Sequence, residues 1–239
     1  MRELDSIAVV GAGRLGTALA AALRAAGLAV TGPLRRGEDP GGHAVVLLCV
    51  PDGEIAAAAA AIAPGPLVGH CSGATGLEVL AGHEAFSLHP LMTVPAEASR
   101  DVFAGAGCAV AGSTPRARAA AEALAAGLGM RAAHVADEDR AAYHAAASIA
   151  SNFLVTLEGA AERLAATAGV ERALLAPLVR AAVENWAARG AAAALTGPIA
   201  RGDEATVALQ RAALAERTPD LLPLFDALAD ATRALMVAA

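Results

Sequence analysis

Gly11, Gly13 and Gly16 stand at GxGxxG spacing between a short apolar run and an alanine-rich stretch, SIAVVGAGRLGTALAAALRAAG from Ser6 to Gly27. In a strand–turn–helix unit each has its own task. Gly11 makes the tight turn, Gly13 leaves bare backbone for a pyrophosphate, and Gly16 lets the helix lie close on the strand. The free amides of the first helical turn and the positive end of the helix dipole then face the anion. Ala12, Arg14 and Leu15, between the glycines, belong to the same binding turn. About 20 residues further on, a fold that selects NAD carries an acid for the ribose hydroxyls. The chain has Gly32, Pro33, Leu34, Arg35 and Arg36 there. Paired arginines suit a 2′-phosphate, so NADP(H) is expected over NAD(H); the alternative is an exposed basic loop.

Further residues suited to chemistry follow. Val50, Pro51 and Asp52 close an apolar run, HAVVLLCV, and a strand end of that kind lies beside the cofactor; Asp52 is also placed to cap the next helix. Ser72-Gly73 and His89-Pro90 each follow another short apolar run. His144, Ser148 and Asn152 fall at i, i+4, i+8 and share one helical stripe within about 80°. No charge lies between Tyr143 and Ser151, which favours a pocket lining over a solvated face.

The elements that must position these residues alternate in type. Strands are expected at Ser6–Val10, Leu28–Thr31, His43–Val50, Leu67–His70, Ala85–Leu88, Cys108–Ala111 and Arg131–Val135. Helices are expected after Gly13, after Asp52 and over Arg116–Gly127, with Gly27 capping the first. From Asp137 the alternation stops. A helix capped by Asp137 is expected to run to Gly169 with an apolar stripe of Ile149, Phe153, Leu157, Ala160 and Leu164. An amphipathic helix over Leu174–Trp186 has Pro177 in its first turn or at a kink and ends at Gly190. The glycine- and proline-bearing loop Leu195–Val207 starts another helix, and Thr218-Pro219-Asp220 starts the last. The expected fold is therefore α/β: a Rossmann-type doubly wound parallel sheet over residues 1–136 and an all-α domain over 137–239.

Composition removes several functions. A net charge of −6 and one Trp and one Tyr, with no basic cluster, exclude a nucleic-acid binder. Three scattered cysteines suit a reducing cytoplasm and no disulfide framework. No histidines fall at ligand spacing with a carboxylate or thiol, so no metal is expected. Glu3, Asp5 and Arg14 interrupt the apolar N-terminal stretch, which does not read as a secretion signal. The alanine-rich run Ile55–Ala63 is too short to cross a bilayer. All eighteen basic residues are arginine, so no lysine can act as an acid or form a Schiff base.

SLHPL at Ser87–Leu91, AYHAAASIASNF at Ala142–Phe153 and LTGPIARGD at Leu195–Asp203, together with the glycine turn, resemble a family of Rossmann-like proteins with a C-terminal helical domain of unknown function, described as NADP-dependent oxidoreductases. The resemblance covers nearly the whole chain. More distantly the chain is similar to ketopantoate reductases, pyrroline-5-carboxylate reductases, prephenate dehydrogenases and β-hydroxyacid dehydrogenases. This implies hydride transfer involving a small carboxylate-bearing substrate in a cleft between domains, and a homodimer through the helices. It makes ketopantoate, in pantothenate biosynthesis, the first substrate to try, with an imine as the rival. If Asn152 matches the asparagine of the β-hydroxyacid dehydrogenases, Ser148 stands where they carry a catalytic lysine. A serine hydroxyl is too weak an acid alone, which leaves His144 or His89 as proton donor. His89 has the alternative role of a turn histidine bonded to backbone. The resemblance also implies a substrate loop containing Thr196, Gly197, Arg201 and Asp203. Arg201 suits a carboxylate, while Asp203 could pair with it or cap the next helix. A protein that binds the nucleotide as a sensor or scaffold without catalysis is the reading from another class.

Overall fold

A computed structural model of the chain describes Leu4, residues 6–99 and residues 101–237. The chain divides into two compact units, Met1–Ser151 and Asn152–Ala239.

In the first unit, β1 (Ile7–Val10), β2 (Val30–Leu34), β3 (Val45–Leu48), β4 (Leu67–His70), β5 (Glu84–Leu91), β6 (Gly107–Gly112) and β7 (Arg131–His134) form one sheet in the order β2-β1-β3-β4-β5-β6-β7. The pairings are parallel except β5 with β6. The strand order reverses where β1 lies between β2 and β3, the place at which open α/β sheets form a crevice. Alternating side chains feed both faces of the sheet. Ile7, Val9 and Leu47 pack with Leu19 and Leu23 of α1 (Arg14–Ala25) and with Leu124 of α3 (Pro115–Gly127). Ala8, Val46 and Leu48 pack with Ile55 and Ala59 of α2 (Ile55–Ala60). Burial on both faces explains why β1 and β3 are unbroken apolar runs.

Several elements depart from the sequence expectation. β5 runs through His89 and Pro90, which pair with Ala109 and Cys108, so SLHPL is strand and not a turn, and the sheet is not wholly parallel. The Pro ring is tolerated because an antiparallel strand leaves alternate amides out of a given ladder. Asp52 does not cap the helix after it; its carboxylate accepts the Ser72 hydroxyl instead, at 2.8 Å. Asp137 likewise caps no long helix. Its carboxylate accepts the Leu77 amide (3.1 Å) and Arg140 Nε (2.7 Å). The single helix expected to Gly169 is α4 (Arg140–Ser148), a π-helical segment (Ile149–Phe153) and α5 (Leu154–Ala166). Ile149 and Phe153 of the expected apolar stripe are exposed. The division between the units also falls later than Ala136, because Arg140 and Tyr143 of α4 are bonded to side chains of β5.

The second unit continues with α6 (Arg172–Arg189), α7 (Ala191–Ala194), α8 (Glu204–Arg217) and α9 (Leu222–Val237). Pro177 lies inside α6, which starts earlier than expected, with Glu171 at its N-cap. Val207 and Leu214 of α8 and Ala229 of α9 are buried. Ion pairs Arg211–Asp226 and Arg233–Glu204 link α8 to α9; being exposed, such pairs add about 0–1 kcal/mol each. Leu174, Leu178 and Trp186 form an exposed stripe on α6. Among the described residues no helix is long and apolar enough to cross a membrane.

Candidate functional site

The glycine turn is built by close contacts. Gly11 has φ +113°, and a Cβ there would lie 2.3 Å from the Cys49 carbonyl oxygen; one on Gly16 would lie 1.9 Å from the Gly11 oxygen. Gly13 differs. It has φ −75°, ψ −178° at the N-cap of α1, and a Cβ there would meet nothing within 4 Å. No side chain caps α1, its first turn holds no acid, and its first backbone bond is Thr17 N–H to the Gly13 oxygen. The amides of Arg14, Leu15 and Gly16 therefore precede the intrahelical ladder, which is the arrangement that accepts an anion. These residues fit a dinucleotide pyrophosphate.

Two adjoining crevices flank the turn. One, of roughly 700 Å³, is lined by Gly11, Ala12, Gly13, Arg35, Arg36, Val50 and Pro51 among others. Its arginine loop is braced: the Arg35 amide donates to Glu38 Oε2 within the loop at 2.6 Å, and Arg36 is ion-paired with Glu54, beyond β3. The other, of roughly 440 Å³, is lined by Gly13, Arg14, Leu15, Cys49, Val50, Pro51, Asp52, Cys71, Ser72, His89 and Pro90. Glycines 16 and 73 line neither; Gly16 lies under the turn, and a Cβ on Gly73 would be 2.9 Å from His89 Nε2 and 3.0 Å from His144 Cδ2.

Behind the second crevice lies a polar network. His70 is fully buried; its Nε2 bonds the Gly76 carbonyl at 3.1 Å and its Nδ1 accepts the Ser72 amide at 3.2 Å. These partners suit a neutral ring protonated on Nε2, and burial lowers its pKa despite the Gly76 bond. Ser72 Oγ accepts the amides of Ala74 and Thr75 while donating to Asp52, so its hydroxyl is a fastener of the loop after β4. Arg140 is 2% exposed. It donates to Asp137 and to Ser87 Oγ, while its Nη1 is buried without a hydrogen-bond partner among the described residues.

His89, like Ser72 and Asp52, lines the second crevice. Its Nδ1 shares a 2.7 Å hydrogen bond with the Tyr143 hydroxyl, and His144 stacks edge-on with ring centroids 6.5 Å apart. Burial, then the neighbouring His144 and Arg140, lower the His89 pKa to about 4. Burial raises the Tyr143 hydroxyl to about 12. At neutral pH both groups are uncharged; in the tautomer that carries its proton on Nε2, the ring accepts the Tyr143 O–H at Nδ1. His89 is thus a side-chain-bonded residue on a strand, not a turn histidine bonded to backbone.

Residues 106–232 match the family described as Domain of unknown function (DUF2520). The chain belongs to that family. No curated protein matches it by sequence. In structure, this DUF2520 chain is similar to a Bacteroides fragilis protein assigned as an NADP oxidoreductase, at 21% identity and TM-score 0.80, covering 98% of this chain and 100% of that one. A Thermotoga maritima protein aligns at 22% identity and TM-score 0.80, over 97% and 98% of the two chains. A reductive aminase from Aspergillus terreus, in complex with NADPH and ethyl levulinate, aligns at 18% identity and TM-score 0.64, over 96% and 94%. The fold is that of the Rossmann-like oxidoreductases, a doubly wound sheet with C-terminal helices.

The other expected site residues have these places. His144 and Ser148 lie one turn apart on α4, His144 exposed and Ser148 half-buried. Asn152 is exposed in the π-helical segment of the second unit. Thr196 and Arg201 are exposed and Gly197 half-buried; Asp203 caps α8, accepting the Thr206 amide at 3.1 Å and its hydroxyl at 2.7 Å. Sequence reading missed Tyr143, Arg140 and His70 as parts of the network. One signal was available: Arg140 stands three and four residues before the single tyrosine and His144, on one helical face.

Proposed function

We propose that the protein is an NADPH-dependent reductase of a small carboxylate-bearing carbonyl compound, with ketopantoate the first candidate. The observation that carries this reading is one crevice lined both by the uncapped turn Gly13–Leu15 and by His89. An anion-binding helix end and a hydrogen-bonded imidazole at a shared wall suit a bound dinucleotide with a proton donor beside its reactive end. Gly11, Ala12, Gly13, Arg14 and Leu15 hold the pyrophosphate, Gly16 seats the helix, Val50, Pro51 and Asp52 wall the crevice, and Ser72 and Gly73 shape the loop facing it. Arg35 and Arg36 favour the 2′-phosphate of NADP(H), with Arg36 exchanging Glu54 for that anion.

When bound, the nicotinamide supplies the hydride. His89 Nε2–H gives its proton to the substrate oxygen as charge develops there, and the Tyr143 hydroxyl proton moves to Nδ1. The ring stays neutral throughout. Arg140 favours the tyrosinate that results, and solvent returns its proton. His144 and Ser148 orient the substrate oxygen. The exposed Leu174, Leu178 and Trp186 stripe supports a homodimer through the helices, and three free thiols suit a cytoplasmic protein.

The reductive aminase and a pyrroline-5-carboxylate reductase of Streptococcus pyogenes have the same fold, which makes imines the second substrate class. The test is NADPH oxidation, with NADH in parallel, against ketopantoate, other 2-oxo acids and pyrroline-5-carboxylate. Turnover of a 2-oxo acid is the expected result. Turnover of the imine alone reassigns the substrate, and tight NADPH binding with no turnover makes the protein a nucleotide sensor.

A further inference from the structure

The ends of β3 and β4 set two thiols side by side. Leu48 and His70 are register partners, so Cys49 and Cys71, the next residues along, face each other, with their sulfurs 3.7 Å apart. Neighbouring strands lie about 4.8 Å apart, inside the Cα separation of roughly 4.4–6.8 Å that a disulfide spans. Closing the sulfurs to about 2.05 Å therefore needs side-chain rotation and no parting of the strands. Both cysteines line the crevice beside Gly13 and His89.

Cys49 also supports the glycine turn. Its carbonyl oxygen lies 2.3 Å from the position a Gly11 Cβ would take, and its own Cβ is 3.1 Å from the Cβ position of Gly16. A movement of Cys49 is thus passed directly to the turn. We propose that Cys49 and Cys71 form an oxidative modification site, at which a hydroperoxide closes a reversible disulfide that weakens dinucleotide binding. The linkage stands on the thiol geometry, and its effect on binding rests on the dinucleotide reading given above.

Cys71 is 7% exposed, and its bond with Cys49 together with burial raises its thiol pKa well above the ordinary value. The half-buried Cys49 is the nucleophile. Its thiolate attacks one peroxide oxygen, the O–O bond breaks, a sulfenic acid forms and the hydroxide released leaves as water. The Cys71 sulfur then attacks the Cys49 sulfur, the S–O bond breaks, and a second water leaves. Two thiols lose two electrons and two protons, and the peroxide is reduced to two waters. An external dithiol reverses the bond by exchange.

The full-length reduced protein is treated with hydrogen peroxide, the oxidant is removed, and intact mass, peptide mapping and the NADPH Kd are measured before and after dithiothreitol. The expected result is a loss of about 2 Da, a linked pair of peptides carrying Cys49 and Cys71, and a Kd raised at least about tenfold that dithiothreitol restores. Cys108, buried in β6 with its thiol pushed up to about 12 by burial, stays reduced. Cys49→Ser should form no linkage, and its Kd should not change with oxidant. Free thiols or singly oxidised sulfinic acids at Cys49 and Cys71 overturn the site; a linked protein with unchanged Kd overturns its effect. Reduced protein that binds no dinucleotide overturns the nucleotide reading and the effect together, while the mass measurement still decides the linkage.

Discussion

Replacing Gly13 with Ala separates the binding role of the glycine turn from its architecture. The residue has φ −75° and ψ −178°, which alanine adopts freely, and the added methyl meets nothing within 4 Å. Ala is a poorer N-cap than Gly by a few tenths of a kcal/mol or somewhat more. It also restricts the unfolded chain, which offsets about 0.4–1 kcal/mol. The melting temperature should then stay within about 3 °C of wild type. Binding should respond differently. A methyl over the amides of Arg14 and Leu15 moves a pyrophosphate outward by roughly 1.5 Å, beyond hydrogen-bond reach. Losing two bonds to a charged group, at about 1.5 kcal/mol each, raises the NADPH Kd about a hundredfold. Gly16→Ala is the contrasting variant, since its Cβ would sit 1.9 Å from the Gly11 oxygen; it should lose about 3 kcal/mol of stability. Fluorescence titration with NADPH and thermal unfolding measure both quantities. Near-wild-type affinity in Gly13→Ala would refute the placement of the phosphates at this helix end.

Tyr143→Phe removes the partner of His89 Nδ1 and should lower kcat about a hundredfold with the NADPH Kd unchanged; a kcat within threefold, about 0.7 kcal/mol, rules the relay out. Gly73→Ala puts a methyl 2.8 Å from His89 Cε1 and 3.0 Å from His144 Cδ2, so kcat should fall at least about tenfold by displacement of the donor, again with dinucleotide binding retained. The His89 pKa of about 4 lies below its ordinary 6.5, so protons bind the unfolded chain preferentially. Stability should be flat above pH 6.5 and decline from there to pH 4, by about 3 kcal/mol from this residue. Urea midpoints across that range should show a shallower decline in His89→Gln, and an unchanged slope would contradict the burial argument. His144→Ala should reduce turnover more than cofactor affinity if it orients substrate; unchanged turnover in a steady-state assay removes it from the mechanism.

The sequence by itself determined the turn and the layers around it. Gly11–Gly16, the unbroken apolar runs at Ile7–Val10 and Val45–Leu48, and the alternation up to Arg131–His134 are local signals, because sheet burial and turn geometry impose residue types over a few positions. The cap at Asp203 was legible for the same reason: its partner, Thr206, is three residues away. Tertiary structure decided what distant partners control. Asp52 and Asp137 had the types and positions of caps, but Ser72 and Leu77 compete for their carboxylates from 20 and 60 residues away. His89 looked like a turn residue until β6 paired with it as strand. Its low pKa arises from burial among His144, Arg140 and the sheet, and its link to Tyr143 spans 54 residues. The Cys49–Cys71 pair is likewise a consequence of strand register. Propensity and periodicity carry no record of which strand edge meets which helix face, because those contacts are set by the packing of the whole sheet.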